Sequence, residues 1–312
     1  MSPLNKIAIS IGDLNGIGFE IALHAHEHIR TLCDPLYCIG HTMAEQAAAL
    51  LGESLPDDFI CHPIAGEFTI NPGTVDAQSG QYSFDSFIAA VNLARSGQVS
   101  ALTTLPIHKE AWKLGGIEYV GHTDALRELF GTDAIMMLGC EELYVALFTE
   151  HIPLREVASH VRKEELVSFL TFFHQSVRPD SVAVLGLNPH AGDNGVLGDE
   201  ERHIEEAIEK VNRVIGKNIF FGPVVPDIAF TPRFRRNIRY IVAMYHDQGL
   251  APLKALYFDE GINVSLGLPI VRTSVDHGTA FDIAYRNEAG TLSYINAIKS
   301  AIALSGCGTD KE

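Results

Sequence analysis

Three histidines each follow an apolar, strand-like run: LYVALFT precedes His151, VAVLGL precedes His190 and IRYIVAM precedes His246. In a parallel α/β sheet the carboxyl ends of the strands meet at one edge, where ligands bind. Three imidazoles at that edge would suit one divalent d-block metal and leave coordination positions open for substrate or water. The alternative is that each histidine is structural. Their equivalent positions favour the metal site.

A second candidate is the stretch 245–287, which places two histidines, a lysine, two arginines, two asparagines and several aspartates among apolar runs. Burying such groups without partners costs roughly 2–7 kcal/mol for each neutral group and more for a charge. A solvated surface is the alternative, but interleaved apolar runs fit it badly. The pattern is typical of strand ends and turns that open into a binding cleft.

Other motifs carry weaker signals. The turn GDLNGIG (12–18) could offer backbone N–H groups to an anion, although a tight turn before a packed helix is at least as good an explanation. His24 and His28 share a helix face, which a solvated surface explains better than a metal. His122 could meet a phosphate at a helix start, or Thr123 or Asp124 could simply cap that helix.

Strand-like and helix-like segments alternate along the chain, which predicts an α/β fold. The predicted strands are 6–11, 35–39, 101–106, 143–149, 182–187 and 238–244. The predicted helices are 19–30, 42–51, 85–96, 125–130 and 199–214. No repeat, low-complexity tract or flexible linker interrupts this order, so two domains, if present, would be interwoven.

Bulk properties exclude several classes of function. The chain has 312 residues, 46% of them hydrophobic, which is enough for one large domain or two ordinary ones. A net charge of -16 argues against nucleic acid or an anionic membrane as partner. Five cysteines without CxxC spacing indicate reduced thiols and a cytoplasmic protein. We see no signal peptide and no transmembrane helix.

Several longer motifs of the sequence resemble those of a known protein family. The motifs GHTD, NPHAGDNGVLGDEE, YHDQGLAPLK and GINVSLGLPIVRTSVDHGTAFDIA, together with GDLNGIG, resemble those of 4-hydroxythreonine-4-phosphate dehydrogenases of the pyridoxal phosphate pathway. The resemblance runs from residue 7 to about residue 300. DHGTAFDIA also resembles the nucleotide-binding loop of isocitrate and isopropylmalate dehydrogenases, whose fold that family shares.

The resemblance implies roles for individual residues. One divalent metal (zinc, magnesium or cobalt) would be held by His151, His190 and His246. The substrate would contact His122, Thr123, Lys254, Asn263 and Arg272. NAD or NADP would contact His277, Gly278, Thr279, Asp282 and Asn287. The proton acceptor would be Asp247 or a metal-bound water, in a homodimer whose site lies at the subunit interface.

The implied reaction is oxidation of 4-phosphooxy-L-threonine at C3, followed by decarboxylation to 3-amino-2-oxopropyl phosphate. The same chemistry on phosphorylated threonate or erythronate, which lack the amine, stays open. So do a phosphotransacetylase-like transferase and a silent binding protein.

The implied fold is an isocitrate/isopropylmalate dehydrogenase-like pair of interwoven α/β domains with a cleft between them. A discontinuous cofactor-binding domain would comprise residues 1–112 and 247–312. A central domain, 113–246, would carry the metal ligands and the dimer contacts.

Overall fold

The structure is a computed structural model that describes residues 5–306. Its strands are β1 (Lys6–Ser10), β2 (Asp34–Cys38), β3 (Cys61–His62), β4 (Ala101–Thr104), β5 (Ile135–Cys140), β6 (Leu143–Leu147), β7 (Val182–Leu185), β8 (Phe220–Val224), β9 (Tyr240–Ala243), β10 (Ile262–Leu266) and β11 (Arg272–Val275). The α/β class predicted from the sequence is confirmed.

The helices are α1 (Gly18–Ile29), α2 (His41–Leu50), α3 (Ala77–Arg95), α4 (Lys109–Leu114), α5 (His122–Phe130), α6 (Leu154–His160), α7 (Lys163–Val177), α8 (Glu201–Ile215), α9 (Pro226–Ala229), α10 (Pro232–Arg235), α11 (His246–Tyr257) and α12 (Leu292–Gly306). A 3-10 segment, Pro189–Gly195, follows β7. No helix within residues 5–306 is both long enough and apolar enough to cross a bilayer.

The chain divides into two compact units. The terminal unit contains the described residues up to Ala134 and those from Ile262 onward, and the central unit is Ile135–Gly261. The sequence placed these boundaries earlier, near 112 and 246. They fall later because α5 buries apolar residues in the core of the terminal unit, whereas α11 packs its apolar face in the core of the central unit.

In the terminal unit the strand order is β3-β2-β1-β4-β11-β10. All neighbours are parallel except β10 and β11. β1 is buried apart from Lys6 and β4 is buried throughout, as expected for parallel strands covered on both faces. In the central unit the order is β5-β6-β9-β7-β8, with only β5 and β6 antiparallel.

Helix α1 carries three histidines, and two of them, His24 and His28, are exposed as the sequence predicted. His24 and His28 lie on the exposed face, where His24 pairs with Glu53 at 3.1 Å. His26 instead points into the core and bridges Tyr37 Oη (3.0 Å) and Asp58 Oδ1 (3.1 Å). A buried imidazole with both nitrogens satisfied is a structural element of the core.

Helix α3 begins at Ala77, eight residues before the predicted start at Asp85. Asp76 caps it by accepting a hydrogen bond from the Gln78 N–H at 2.7 Å. The first turns look polar in the sequence, but Ser79 and Gly80 are buried because α4 packs closely against them. A Cβ on Gly80 would lie only 2.0 Å from the Ala111 carbonyl oxygen.

This close approach predicts the effect of Gly80→Ala. In an open helix the change would stabilise by about 1 kcal/mol. Here the clash with the α4 backbone is expected to lower the free energy of unfolding by about 1–3 kcal/mol, the range for overpacking. Chemical denaturation of both proteins measures this difference. The control is Gly290→Ala, at an exposed site with no atom near the added methyl group, which should stay within about 0.5 kcal/mol of wild type. A Gly80→Ala protein as stable as wild type would contradict the packing described.

Candidate active site

Parallel pairing of β6, β9 and β7 brings the carboxyl ends of these strands to one edge of the central unit. His151 lies in the loop after β6, His190 in the 3-10 segment after β7, and His246 is the first residue of α11, after β9. The rings of His151 and His246 are 5.4 Å apart between centroids. Two imidazoles at this separation can meet at one ion, since zinc–nitrogen bonds are about 2.0–2.1 Å long.

The tautomer of His246 follows from its neighbour. Its Nδ1 lies 2.7 Å from Oδ1 of Asp247, and an ionised carboxylate can only accept a hydrogen bond. Nδ1 therefore carries the hydrogen, which leaves the lone pair on Nε2 available to bind a metal ion. A carboxylate that orients a metal-binding imidazole in this way is a common outer partner of metal sites. Asp247, the predicted proton acceptor, is itself largely exposed.

His190, the third predicted ligand, does not form a metal-binding group with His151 and His246 within the described chain. Across residues 5–306, no three histidine, cysteine, aspartate or glutamate side chains are grouped closely enough to hold an ion. The donor chemistry suits a divalent metal, but the described chain presents His151 and His246 as a pair without an assembled third ligand.

His190 lies in an unusual left-handed turn. The φ angles of His190, Ala191, Asp193 and Asn194 are 54°, 51°, 44° and 54°. This conformation costs a residue with a Cβ about 1–2 kcal/mol. The turn therefore needs support from the side chains around it.

Arg272 opens β11 in the terminal unit and is only 3% exposed. Its two terminal nitrogens donate to Ser265 Oγ (3.0 Å) and Thr104 Oγ1 (2.7 Å), while its buried Nε has no partner within the described chain. Burial lowers the pKa of the guanidinium to about 10, so the group is still protonated at neutral pH. A buried cation whose partners are hydroxyl groups is suited to receiving an anion.

His122 lies near this cation. Its ring packs against Phe87 and Trp112, with centroids 4.8 and 5.4 Å away. Burial, with a smaller contribution from the positive charge of Arg272, holds the pKa of His122 well below its usual value of 6.5. The ring is therefore neutral, and its buried Nε2 has no hydrogen-bond partner in residues 5–306.

The remaining predicted substrate residues divide between the units. Asn263, on β10 of the terminal unit, has a buried Oδ1 without a partner among the described residues. Thr123 is the second residue of α5, so the predicted cap at Thr123 or Asp124 was wrong. The Asp124 carboxylate instead accepts from the Val120 N–H at 3.1 Å. Lys254 is half-buried on α11 of the central unit.

The predicted cofactor residues lie in a segment that is anchored on the glycine-rich turn 12–18. Thr279 accepts the Ile17 N–H at 3.1 Å through its carbonyl, and the Tyr285 hydroxyl donates to the Leu14 carbonyl at 2.8 Å. The N–H groups of Asp13, Asn15 and Gly16 also have internal acceptors. These bonds favour the packing explanation of the turn over direct anion binding by its N–H groups.

Within that segment, the predicted residues have different environments. His277 is half-buried, its partial burial lowers its pKa, and its buried Nε2 has no partner in the described chain. Gly278 has open space where a Cβ would stand. Asp282 is exposed, and Asn287 has a left-handed φ of 58°.

Sequence reasoning missed the residues that support these groups. Thr104 and Ser265 hold Arg272, and Thr149, Glu201 and Gln248 bond to the histidine-bearing loops. Gln248 and Ser265 lie inside the polar stretch 245–287 and could have been noticed there. Thr149 ends the apolar run before His151, whereas Thr104 and Glu201 come from other parts of the chain and meet their partners only through the fold.

Comparison with known proteins identifies the family of the chain. Residues 31–301 match the family model described as pyridoxal phosphate biosynthetic protein PdxA. The 4-hydroxythreonine-4-phosphate dehydrogenase of Sulfurimonas denitrificans is 61% identical over 96% of this chain and 97% of its own. That of Campylobacter fetus is 52% identical, covering 96% and 98%.

A solved structure extends the likeness to the fold. The 4-hydroxythreonine-4-phosphate dehydrogenase of Klebsiella pneumoniae is 33% identical, with a TM-score of 0.79, over 96% of this chain and 99% of that one. Because both the family model and these relatives span nearly the whole sequence, the chain belongs to the PdxA family of pyridoxal phosphate biosynthetic proteins.

Proposed function

We propose that the protein is an NAD- or NADP-dependent dehydrogenase that oxidises 4-phosphooxy-L-threonine at C3. Decarboxylation then gives 3-amino-2-oxopropyl phosphate for pyridoxal 5'-phosphate synthesis. Relatives over nearly the full chain carry the name of this enzyme. The observation that carries the proposal is the buried guanidinium of Arg272, which has hydroxyl partners and an unpaired Nε within residues 5–306.

Arg272 is proposed to bind the substrate phosphate. A guanidinium offers planar, forked donors that match phosphate oxygens. His122 adds a neutral ring with a free nitrogen, and Asn263 adds a buried amide oxygen that can accept from a hydroxyl or an amine. Thr123 and Lys254 complete the proposed set of substrate contacts. A phosphate beside His122 would oppose both effects that lower its pKa and so favour its protonation.

His151, His190 and His246 are proposed to hold one divalent ion. Three imidazoles suit zinc or cobalt better than magnesium, which prefers oxygen ligands. When bound, such an ion supplies Lewis-acid polarisation of a substrate oxygen. Because the described chain presents only a pair of these rings together, we propose that a second copy of the chain completes the site in a homodimer.

Asp247 is the proposed proton acceptor. Oxidation removes the C3 hydrogen as hydride to the nicotinamide, while the C3 hydroxyl proton passes to a base. The product is a β-keto acid, which loses carbon dioxide and takes a proton on the carbon left behind. The contact with His246 gives Asp247 a further task, since the bond to Nδ1 directs Nε2 outward.

The segment with His277, Gly278, Thr279, Asp282 and Asn287 is proposed to bind NAD or NADP. Its anchoring on the turn 12–18 supports this, because a cofactor needs a rigid surface against which it can be oriented. We also propose a cytoplasmic location, which the unpaired thiols among the described cysteines support.

Two alternative activities differ from this one, the first in its substrate and the second in that it involves no oxidation or reduction. Phosphorylated threonate and erythronate share the phosphate and the hydroxy acid and lack the amine. A phosphotransacetylase-like transferase would not reduce nicotinamide at all.

The direct test follows nicotinamide absorbance with purified, metal-loaded protein. NAD or NADP is supplied with 4-phosphooxy-L-threonine, or with phosphorylated threonate or erythronate. Reduction is expected with the amino substrate and should stop on chelation. Reduction only with an amine-free acid would keep the mechanism and change the substrate. No reduction with any of the three would contradict the dehydrogenase assignment.

Replacing Arg272 by methionine distinguishes a role of Arg272 in substrate binding from a role in the stability of the fold. Loss of a charge-assisted contact to phosphate should raise KM for the substrate by about 100-fold, or about 2.8 kcal/mol. Stability should change by no more than about 1 kcal/mol, since removing a buried charge offsets the hydroxyl bonds that are lost. Steady-state kinetics and thermal unfolding measure the two effects.

The matched control is Arg95→Met, at an exposed position near the end of α3. It should leave KM unchanged. If Arg272→Met kept wild-type KM, or if it unfolded the protein, Arg272 would be a structural residue instead.

A further inference from the structure

The loops that carry His190 and His246 are joined by one side chain. Gln248 accepts a hydrogen bond from the Met244 N–H through Oε1 and donates one to the Gly186 carbonyl through Nε2, both at 2.7 Å. Met244 directly follows β9 and Gly186 directly follows β7. A single amide therefore links the ends of the two strands whose loops carry these histidines.

The loop that carries His151 is attached to the same place. Thr149 donates to the Met244 carbonyl twice, from Oγ1 at 2.7 Å and from its backbone N–H at 3.2 Å. Met244 thus offers its N–H to one loop partner and its carbonyl to another. All three strand ends are joined through its peptide groups.

Glu201 supports the left-handed turn of His190 from the other side. It is 6% exposed, and Oε1 accepts from the Leu187 N–H (2.9 Å) and the Asn188 N–H (2.7 Å). Its Oε2 accepts from the Asn188 side chain at 2.9 Å. No lysine, arginine or histidine of the described chain forms an ion pair with it. Its carboxylate therefore interacts mainly with the loop that follows β7.

Glycine makes this close support possible. A Cβ on Gly192 would lie 2.6 Å from Oε2 of Glu201, and one on Gly198 would lie 2.2 Å from Nδ2 of Asn188. The turn also contains four residues with side chains in the left-handed region. Such a conformation persists only when its surroundings hold it. Glu201 accepts hydrogen bonds from Leu187 and Asn188, which fixes the chain where it enters the turn.

We propose that Gln248, Thr149 and Glu201 are positioning residues that set the arrangement of the three histidine-bearing loops for metal binding. The inference rests on the proposed metal role of His151, His190 and His246. None of the three needs to touch the ion or the substrate. They act by fixing the strand ends before the ion arrives, so that binding does not have to order the loops.

Gln248→Met is the most direct test, because it keeps the length of the side chain and removes both hydrogen bonds. Co²⁺ is titrated into metal-free protein and followed by calorimetry and by its visible absorption. The dissociation constant is expected to rise about 10–100-fold, the usual effect of losing an outer-shell partner. The absorption band should change shape, and kcat should fall while KM for the nicotinamide cofactor stays unchanged.

The matched control is Gln175→Met, which makes the same substitution at an exposed site on α7 of the same unit. It should bind Co²⁺ as the wild type does. Should Gln248→Met fail to fold, Glu201→Gln gives the same test, since it keeps the acceptor Oε1 and places an N–H donor against the Asn188 amide. Its affinity for Co²⁺ should fall several-fold.

His190→Ala distinguishes the inference from the function on which it rests. If His190→Ala loses Co²⁺ binding while a folded Gln248→Met and Glu201→Gln keep wild-type affinity and spectrum, the positioning proposal is overturned and the metal role stands. If His190→Ala binds Co²⁺ like the wild type, the metal role fails, and the positioning proposal with it.

Discussion

The parallel pairing of β6, β9 and β7 is the constraint on which the central unit depends. Parallel strands end at a common edge, so the residues after them are brought together whatever their separation in sequence. Here the segments after them carry His151, His190 and His246. Within the described residues the rings of His151 and His246 lie together, 5.4 Å apart, without His190 as a third grouped ligand. The sheet provides the approximate placement, and side-chain hydrogen bonds from Thr149, Gln248 and Glu201 provide the finer one. Both levels are needed, because the turn of His190 is not a conformation that its residues prefer.

In the terminal unit the central feature is a buried positive charge, that of Arg272. A buried arginine that bonds only to hydroxyl groups does little for folding, because its desolvation is not repaid by a counter-charge. Arg272 is held in that state by Thr104 and Ser265, beside a neutral His122. This is the state that the proposed contact with the substrate phosphate requires. Three predicted substrate contacts, Arg272, His122 and Asn263, are among the eight described residues that have a buried side-chain polar atom without a partner; the others are Ser10, Asp13, Glu20, His277 and Tyr294.

Much of this was readable from the sequence. Apolar runs located six of the eleven described strands, β1, β2, β4, β6, β7 and β9, and the last three of these runs pointed to the histidines after them. The contacts of Glu201 were not readable, because Glu201 and the peptides it holds are joined only by the fold. The compact units end later than the predicted domain boundaries for a related reason: α5 and α11 are assigned by the cores they join, which periodicity alone does not reveal. The early start of α3 was hidden by small polar residues that are buried only because α4 lies close to them.

Anomalous diffraction from crystals of the cobalt- or zinc-loaded protein would test the central claim most directly. We expect one strong peak at each site, about 2.0–2.1 Å from the nitrogens of His151, His190 and His246. The ligand atom of His246 should be Nε2, since Nδ1 donates to Asp247. The same map would show whether one chain or two supply the three rings. A peak held by other residues, or loaded crystals with no peak at these histidines, would contradict the account.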